Sequence, residues 1–220
     1  MNGVKFSFAG QLLVALGSGA LWWPEQKTLC VSDLHLGKSE RFVRRGGPAL
    51  PPYDSHDTLN RLAEDIEQTK AGTVVCLGDS FDDLDAARSL AEAERSRIST
   101  LQAGRRWIWI EGNHDPGPIE LGGTYLAEWR CSALVFRHIA QLGAKSEISG
   151  HFHPKATLRA AGRLMTRPAF LVDDSRIILP AYGTYTGGLR SSDETLKGLM
   201  AEDAVAILTG KRPRSIPMPR

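Results

Sequence analysis

Cysteine is scarce: Cys30, Cys76 and Cys131 are the only three in 220 residues, and no two form a CxxC pair. An odd, unpatterned count argues against a secreted disulfide framework. It fits reduced, buried thiols in a reducing compartment, so a cytoplasmic protein is expected. Long hydrophobic runs are also missing. The most apolar stretch, Phe8 to Trp23, is interrupted by Gln11 and by Gly17-Ser18-Gly19. A membrane span needs about 20 apolar residues, and this alternation with turns reads as strands, not as a span or a targeting signal. A strong charge of either sign is lacking as well. Lys and Arg number 27 against 25 Asp and Glu, too even a balance to name a partner. There is no internal repeat or low-complexity tract. The glycine-rich stretch Leu179 to Gly188 has neither the lysine nor the spacing of a P-loop, and a surface loop near the site is expected there.

At this length and with 42% hydrophobic residues, one domain is expected over residues 1–210. It is large enough to bury about 70% of its unfolded surface without a staple. Residues 211–220 read as a basic, proline-rich tail. Positive charge also gathers at Lys38, Arg41, Arg44 and Arg45. Such a run is either a solvated face or a surface for phosphates.

Four clusters carry chemistry: Asp33-Leu34-His35, Gly78-Asp79, Gly112-Asn113-His114-Asp115 and Gly150-His151-Phe152-His153. Each follows a short apolar run that reads as a strand: Lys27–Ser32, Thr73–Leu77, Arg106–Ile110 and Glu147–Ser149. Between the first three, Pro48, Pro51 and Pro52 mark a loop. A helix capped by Asp54 or Ser55 follows, with Leu59, Leu62 and Ile66 on one face, and a second helix is expected over about 85–101. Strand, cluster and helix alternate, which implies α/β layering with a largely parallel sheet and a site beyond the carboxyl ends of the strands. Further strands are expected near Leu134–Phe136, Leu158, Leu164–Met165, Phe170–Val172, Ile177–Leu179 and Ala204–Leu208. The whole is compatible with two mixed sheets flanked by helices.

Asp33 and His35 flank a single residue, so a turn can bring both onto one ion. Asp79 can give one oxygen to each of two ions, Asn113 offers a neutral carbonyl, and His151 and His153 point to one face of extended backbone. His138 is the remaining candidate ligand. Oxygen and imidazole donors without thiolate suit Mn²⁺, Fe or Zn²⁺ in an open site for two divalent metal ions. Ions about 3.5–4 Å apart can share a hydroxide and clamp a phosphate. His114 is the natural general acid for a departing oxygen, with Asp115 expected to accept its other ring N–H. Asp82 and Asp83 are either first-turn helix carboxylates or, for Asp82, a group behind the ligands. His56, with no partner cluster, reads as structural.

These clusters resemble the calcineurin-like metallophosphoesterase superfamily, whose signature runs D-x-H, G-D-x-x-D, G-N-H-[DE], a lone His and G-H-x-H. The resemblance implies a four-layer α/β/β/α sandwich. It implies one metal held by Asp33, His35, Asp79 and His153, and a second held by Asp79, Asn113, His138 and His151. VSDLHLGKSERF, LPPYDSHDTLNRL, LGDSFDD, GNHDPG, SGHFHP and LPAYGTYTGGL look like the bacterial ligase-associated DNA damage response endonucleases. That branch implies a Mn²⁺-dependent phosphodiesterase acting on DNA. It also implies association with an ATP-dependent DNA ligase, a helicase and a nuclease-like protein. The chain departs from the pattern at Arg137-His138-Ile139-Ala140, where His followed by Glu-Pro is expected. A phosphodiesterase or monoesterase for nucleotides, and a non-catalytic scaffold, are the competing readings.

Overall fold

A computed structural model of the protein describes residues 2–44, 46, 47, 51, 53–117, 120–160 and 162–220. Arg45, Pro48 and Pro52, named above, lie outside the described residues. The first sheet takes its strands in chain order: β1 (Gly3–Phe8), β2 (Gln11–Leu16), β3 (Leu21–Trp23), β4 (Thr28–Val31), β5 (Thr73–Leu77), β6 (Arg106–Ile110) and β7 (Thr124–Leu126). The apolar N-terminal stretch thus forms an antiparallel meander. From β4 to β7 the sheet is parallel.

The second sheet is built from β8 (Glu128–Cys131), β9 (Leu134–Arg137), β10 (Glu147–Ser149), β11 (Lys155–Ala160), β12 (Arg163–Val172), β13 (Arg176–Ile178), β14 (Val205–Leu208) and β15 (Arg214–Pro217). Its order is β15-β14-β12-β13-β10-β9-β8, with β11 paired only to β12. β10 runs parallel to both β9 and β13. The helices are α1 (Lys38–Arg44), α2 (Asp54–Thr69), α3 (Leu84–Ser89), α4 (Glu92–Gln102) and α5 (Glu194–Leu199).

Period-two alternation in the strands and the apolar stripe of α2 fix the layers. Val74, Cys76, Trp107 and Trp109 turn to one side and pack on Leu59, Leu62 and Ile66 of α2 and Ile98 and Leu101 of α4. Val75, Leu77, Ile108 and Ile110 turn to the other, against Phe136, Ile148, Phe170 and Ile177 of the second sheet. Beyond that sheet, Leu171, Ile178 and Ala206 meet Leu196 and Met200. The result is the α/β/β/α sandwich, with a thin fourth layer made by α5 and the segments beside it.

Several local expectations are corrected. Asp54 and Ser55 do not cap α2. Their side chains bind the α1 segment instead: Ser39 N–H and hydroxyl donate to the Asp54 carboxylate at 3.0 and 2.5 Å, and Gly37 N–H to Ser55 Oγ at 2.9 Å. The helix over 85–101 is two helices. The Arg95 guanidinium takes the carbonyls of Ala87, Arg88 and Leu90, satisfying the end of α3, while Glu94 accepts from Ala91 N–H to start α4. Residues 211–220 do not form a free tail. β15 pairs antiparallel with β14, and Met218 is buried in the outer core. Its alternation, with Ile216 and Met218 facing in, was masked by the surrounding prolines.

Candidate metal centre

Asp33 and His35 follow β4, Asp79 follows β5 and Asn113 to Asp115 follow β6, all at carboxyl ends of parallel strands. His138 follows β9, and His151 and His153 follow β10 in the second sheet. The seam between the sheets therefore opens at one end onto all seven candidate ligands.

The turns that deliver them are strained. Asp33, His35, Asp79, His151 and His153 all have φ between 45° and 69°, a region costly for residues with a Cβ. Such outliers persist only where surrounding contacts hold them. Two glycines show how close that packing is. A Cβ on Gly150 would lie 1.7 Å from Ser32 Oγ and 2.5 Å from Asp33 Oδ2. A Cβ on Gly112 would lie 2.1 Å from Asp79 N and 2.5 Å from Asp115 Oδ1. The GHFH and GNHD turns can approach the aspartates only because these positions carry no side chain.

Among the described residues three groups have their donor atoms within 4.8 Å of one another: Asp33–His35–His153, Asp79–His138–His151, and His35–Asp82–His114, which shares His35 with the first. In the first, His153 Nε2 is 3.1 Å from Asp33 Oδ1 and 3.4 Å from His35 Nε2. In the second, His138 Nε2 is 3.4 Å from Asp79 Oδ2, 3.2 Å from His151 Nδ1 and 3.0 Å from Asn113 Oδ1. Asn113 thus joins the second group. Metal–ligand bonds of about 2.0–2.2 Å place neighbouring donors roughly 3.0–3.5 Å apart, so the spacing is that of a coordination shell.

Asp33 is fully buried and Asp79 nearly so. Burial opposes their charge, yet His153 and His138 pull the Asp33 carboxyl below its usual range, and His138 and the His114 N–H take Asp79 to about 2. Burial would likewise lower His138, but Asp79 and Asp33 outweigh it and raise its pKa to about 9. Two buried carboxylates here demand compensating positive charge, the electrostatics a divalent cation fits.

Asp82 is completely buried behind His35. Its Oδ1 lies 3.0 Å from His35 Nδ1, and its Oδ2 accepts from Arg41 at 2.7 Å. Burial works against the charge, but His35 and Arg41 hold the carboxyl well below its usual range. With Nδ1 engaged, His35 presents Nε2 to the first group, the arrangement that orients metal-binding imidazoles.

The expected role of Asp115 is corrected. His114 Nδ1 lies 2.8 Å from the Asp82 backbone carbonyl, not from Asp115. The Asp115 carboxylate accepts N–H bonds from Gly112, Asp79, Ser80 and Phe81 at 2.7–3.2 Å, so it fastens the loop after β5 to the loop after β6. Burial, then the charge of Asp79, raises its pKa to about 6 against those bonds. His114 itself is half-buried, edge-on to His35 at 5.3 Å between ring centres, with its backbone N–H on Asp79 Oδ1.

Sequence reasoning passed over Tyr182. It is buried, donates to Asp65 of α2 at 2.8 Å, and its backbone N–H and that of Gly183 hold the carbonyls of Ser32 and Asp33. The glycine-rich stretch is therefore partly core, a brace under the first turn. An aromatic among glycines gave no periodic signal. His56 lies exposed on α2 beside Asn60, as the structural reading expected.

The calcineurin-like phosphoesterase family model matches residues 26–192, a span that includes every one of these clusters. The chain belongs to this family. No curated protein is significantly similar to it in sequence. Among solved structures, this phosphoesterase is similar to Pseudomonas putida nuclease MPE, with a TM-score of 0.78 and 26% identity over 97% of this chain and 100% of that one. Calcineurin-like phosphoesterases use divalent metals, and the donor groups of this chain fit them. No helix among the described residues is long and apolar enough to cross a membrane.

Proposed function

We propose that this phosphoesterase is a dinuclear metal-dependent phosphodiesterase that cuts DNA, with Mn²⁺ as the favoured ion. The carrying observation is the pair of ligand groups, the second of which borders an open cleft. A depression of about 510 Å³ begins at Asn113 and His138 and runs past Pro116, Ile139 and Gln141 to the surface. A polymer can lie across such a site, with its ends leaving on either side, and the similarity to a nuclease supports the same substrate. Three free cysteines, Cys30 and Cys76 of them buried, agree with a cytoplasmic setting. Work beside a DNA ligase, a helicase and a nuclease-like protein in DNA repair is the physiological role the branch resemblance favours.

In this reading Asp33, His35 and His153 would hold one ion and His138, His151 and Asn113 the other, with Asp79, which stands in the second group, as the carboxylate that would serve both. When bound, the ions would supply Lewis acidity toward the phosphate and activation of water. His114 donates Nδ1–H to the Asp82 carbonyl, which leaves Nε2 to carry the proton given to the leaving oxygen. Asp82 orients His35, and Asp115 keeps the Asp79 and Asn113 turns in register.

The test is a pair of variants. Asp79→Ala is expected to lose at least one metal by elemental analysis together with nearly all hydrolysis. His114→Ala is expected to keep both metals and slow turnover on DNA by about 10²–10⁴, with a much smaller loss on p-nitrophenyl esters, whose leaving group needs no proton. Full metal content in Asp79→Ala removes the dinuclear assignment. Equal losses on both substrates in His114→Ala remove the acid role.

A further inference from the structure

Beyond the metal centre, the second sheet throws out a two-stranded arm. β11 starts at Lys155, just after His153, and β12 pairs with it along its whole length. The second half of β12, Ala169–Val172, is buried in the sheet, while Arg163–Pro168 is exposed throughout. The outer part of the hairpin is a ribbon that no other strand joins. Cross-strand partners share a face, so Arg163, Met165 with Leu158, and Arg167 line one side in succession.

That side turns toward the C-terminal strand. With Lys211, Arg212 and Arg214, the Met165–Arg167 face walls a groove of about 560 Å³ whose floor is Leu208 and Thr209. Residues 155–172 and 204–220 contain no Asp or Glu at all. Among the described residues, Arg159, Arg163, Arg167, Lys211, Arg212 and Arg214 have no carboxylate partner. Four of these, Arg167, Lys211, Arg212 and Arg214, line the groove, Arg163 shares its face of the ribbon, and Arg159 lies on the other face. Single-sign charge concentrated in a concave surface attracts a polyanion.

We propose that this ribbon and the C-terminal strand form a second DNA-binding surface, one that holds the phosphodiester backbone of the substrate away from the scissile bond. The proposal rests on the nuclease reading of the metal centre and specifies how that site takes a long substrate. Leu158, on the groove face, is five residues beyond His153, ~17 Å along extended chain at ~3.3 Å per residue. At ~3.4 Å per nucleotide along one strand of a duplex, the ribbon meets DNA about five nucleotides from the cut. The groove's Leu158 and Met165 give bases or sugars an apolar wall, while the arginines take phosphates, which also explains why this basic region carries exposed apolar residues.

The experiment uses the full chain and two variants, Arg163→Gln/Arg167→Gln and Lys211→Gln/Arg212→Gln/Arg214→Gln. Binding of a fluorescent 20-nucleotide single strand is read by anisotropy across a salt series. Hydrolysis is read on that strand, a dinucleotide and a p-nitrophenyl phosphodiester. Each variant is expected to raise the KM for the long strand and to flatten the log–log salt dependence of binding by about 0.7 per lost contact. Dinucleotide and p-nitrophenyl hydrolysis are expected to match wild type, which also shows that the variants fold. Wild-type cutting of the long strand with unchanged salt dependence in both variants overturns the second surface and leaves the nuclease reading standing. Wild type that hydrolyses the small ester but neither binds nor cuts DNA overturns both. Loss of sedimentation with phosphatidylserine vesicles in the variants, with DNA binding intact, assigns the groove to an anionic lipid surface and overturns the proposal.

Discussion

Helix α1 and the β11–β12 ribbon are both short, both basic, and both begin just past a histidine turn of the metal centre, at His35 and at His153. Their charges are in opposite states. In α1, Arg41 reaches Asp82 at 2.7 Å and Asp83 at 3.3 Å, Arg44 reaches Asp83 at 2.8 Å, and Lys38 lies 3.8 Å from Asp82. These cations neutralise two acids about forty residues away, one of which orients His35. The ribbon's arginines face no acid among the described residues. Local charge density in a sequence therefore says little about which charge is available. The partner that consumes it can come from the next loop of the fold.

The largest effect that bears on this contrast is expected at Asp82. If α1 serves the metal centre through this carboxylate, Asp82→Ala frees Arg41 and Lys38 and unfixes the His35 ring. Losing a group that orients a metal-bound histidine costs about 10–100-fold in metal affinity or activity. Metal titration and p-nitrophenyl phosphodiester turnover measure it. Wild-type values for both would mean that the Asp82 network is packing only. Arg41→Gln comes next. Its side chain is mostly covered and Asp82 is buried, so one charged hydrogen bond to a buried acceptor is lost, a cost of about 1–3 kcal/mol by urea unfolding. The salt dependence of DNA binding is expected to stay at the wild-type value, because Arg41 is not free to meet phosphate. A flattened slope would place α1 and the ribbon in the same class.

Most of the framework is legible without coordinates. Asp33, His35, Asp79, Asn113, His151 and His153 could be read because strand ends, turns and ligand types coincide within a few residues. The brief, β-branched run Thr73–Leu77 announced a buried strand for the same local reason. What escaped was set by distant contacts. Helix α1 is seven residues long and is fastened by Asp54, Asp82 and Asp83 from other loops, so no periodicity marks it. Asp115 sits next to His114 in sequence, which suggested a pair, but the turn aims its carboxylate back at four backbone N–H groups. Strand β15 was hidden because prolines, which usually argue against a strand, are tolerated at a sheet edge. Ile139-Ala140 depart from the pattern after His138, while Arg137 just before it has a structural role. It is anchored by Glu128 at 2.8 Å and Glu147 at 3.4 Å, partners that only the second sheet brings near.

The smallest effect is expected at Arg44, and it is the sharpest probe of the contrast. The Arg44 side chain is 37% exposed and Asp83 23%. An ion pair this open to solvent is worth about 0–1 kcal/mol. Asp83 also has a second partner, since its Oδ1 accepts the Ala86 N–H at 2.7 Å and caps α3. Removing Arg44 therefore leaves no buried charge unsatisfied. Arg44→Gln is expected to shift the urea midpoint by no more than that small amount, to keep metal content, and to leave the salt slope for DNA unchanged. Because the pair is weak, it is also the one most easily exchanged for a phosphate. If α1 has any share in gripping DNA, this is the residue at which it would appear, as a slope reduced by about 0.7 on single strands with stability untouched. That result would move Arg44 from the paired class to the free one and make α1 a second contact flanking the cut, opposite in chain order to the ribbon.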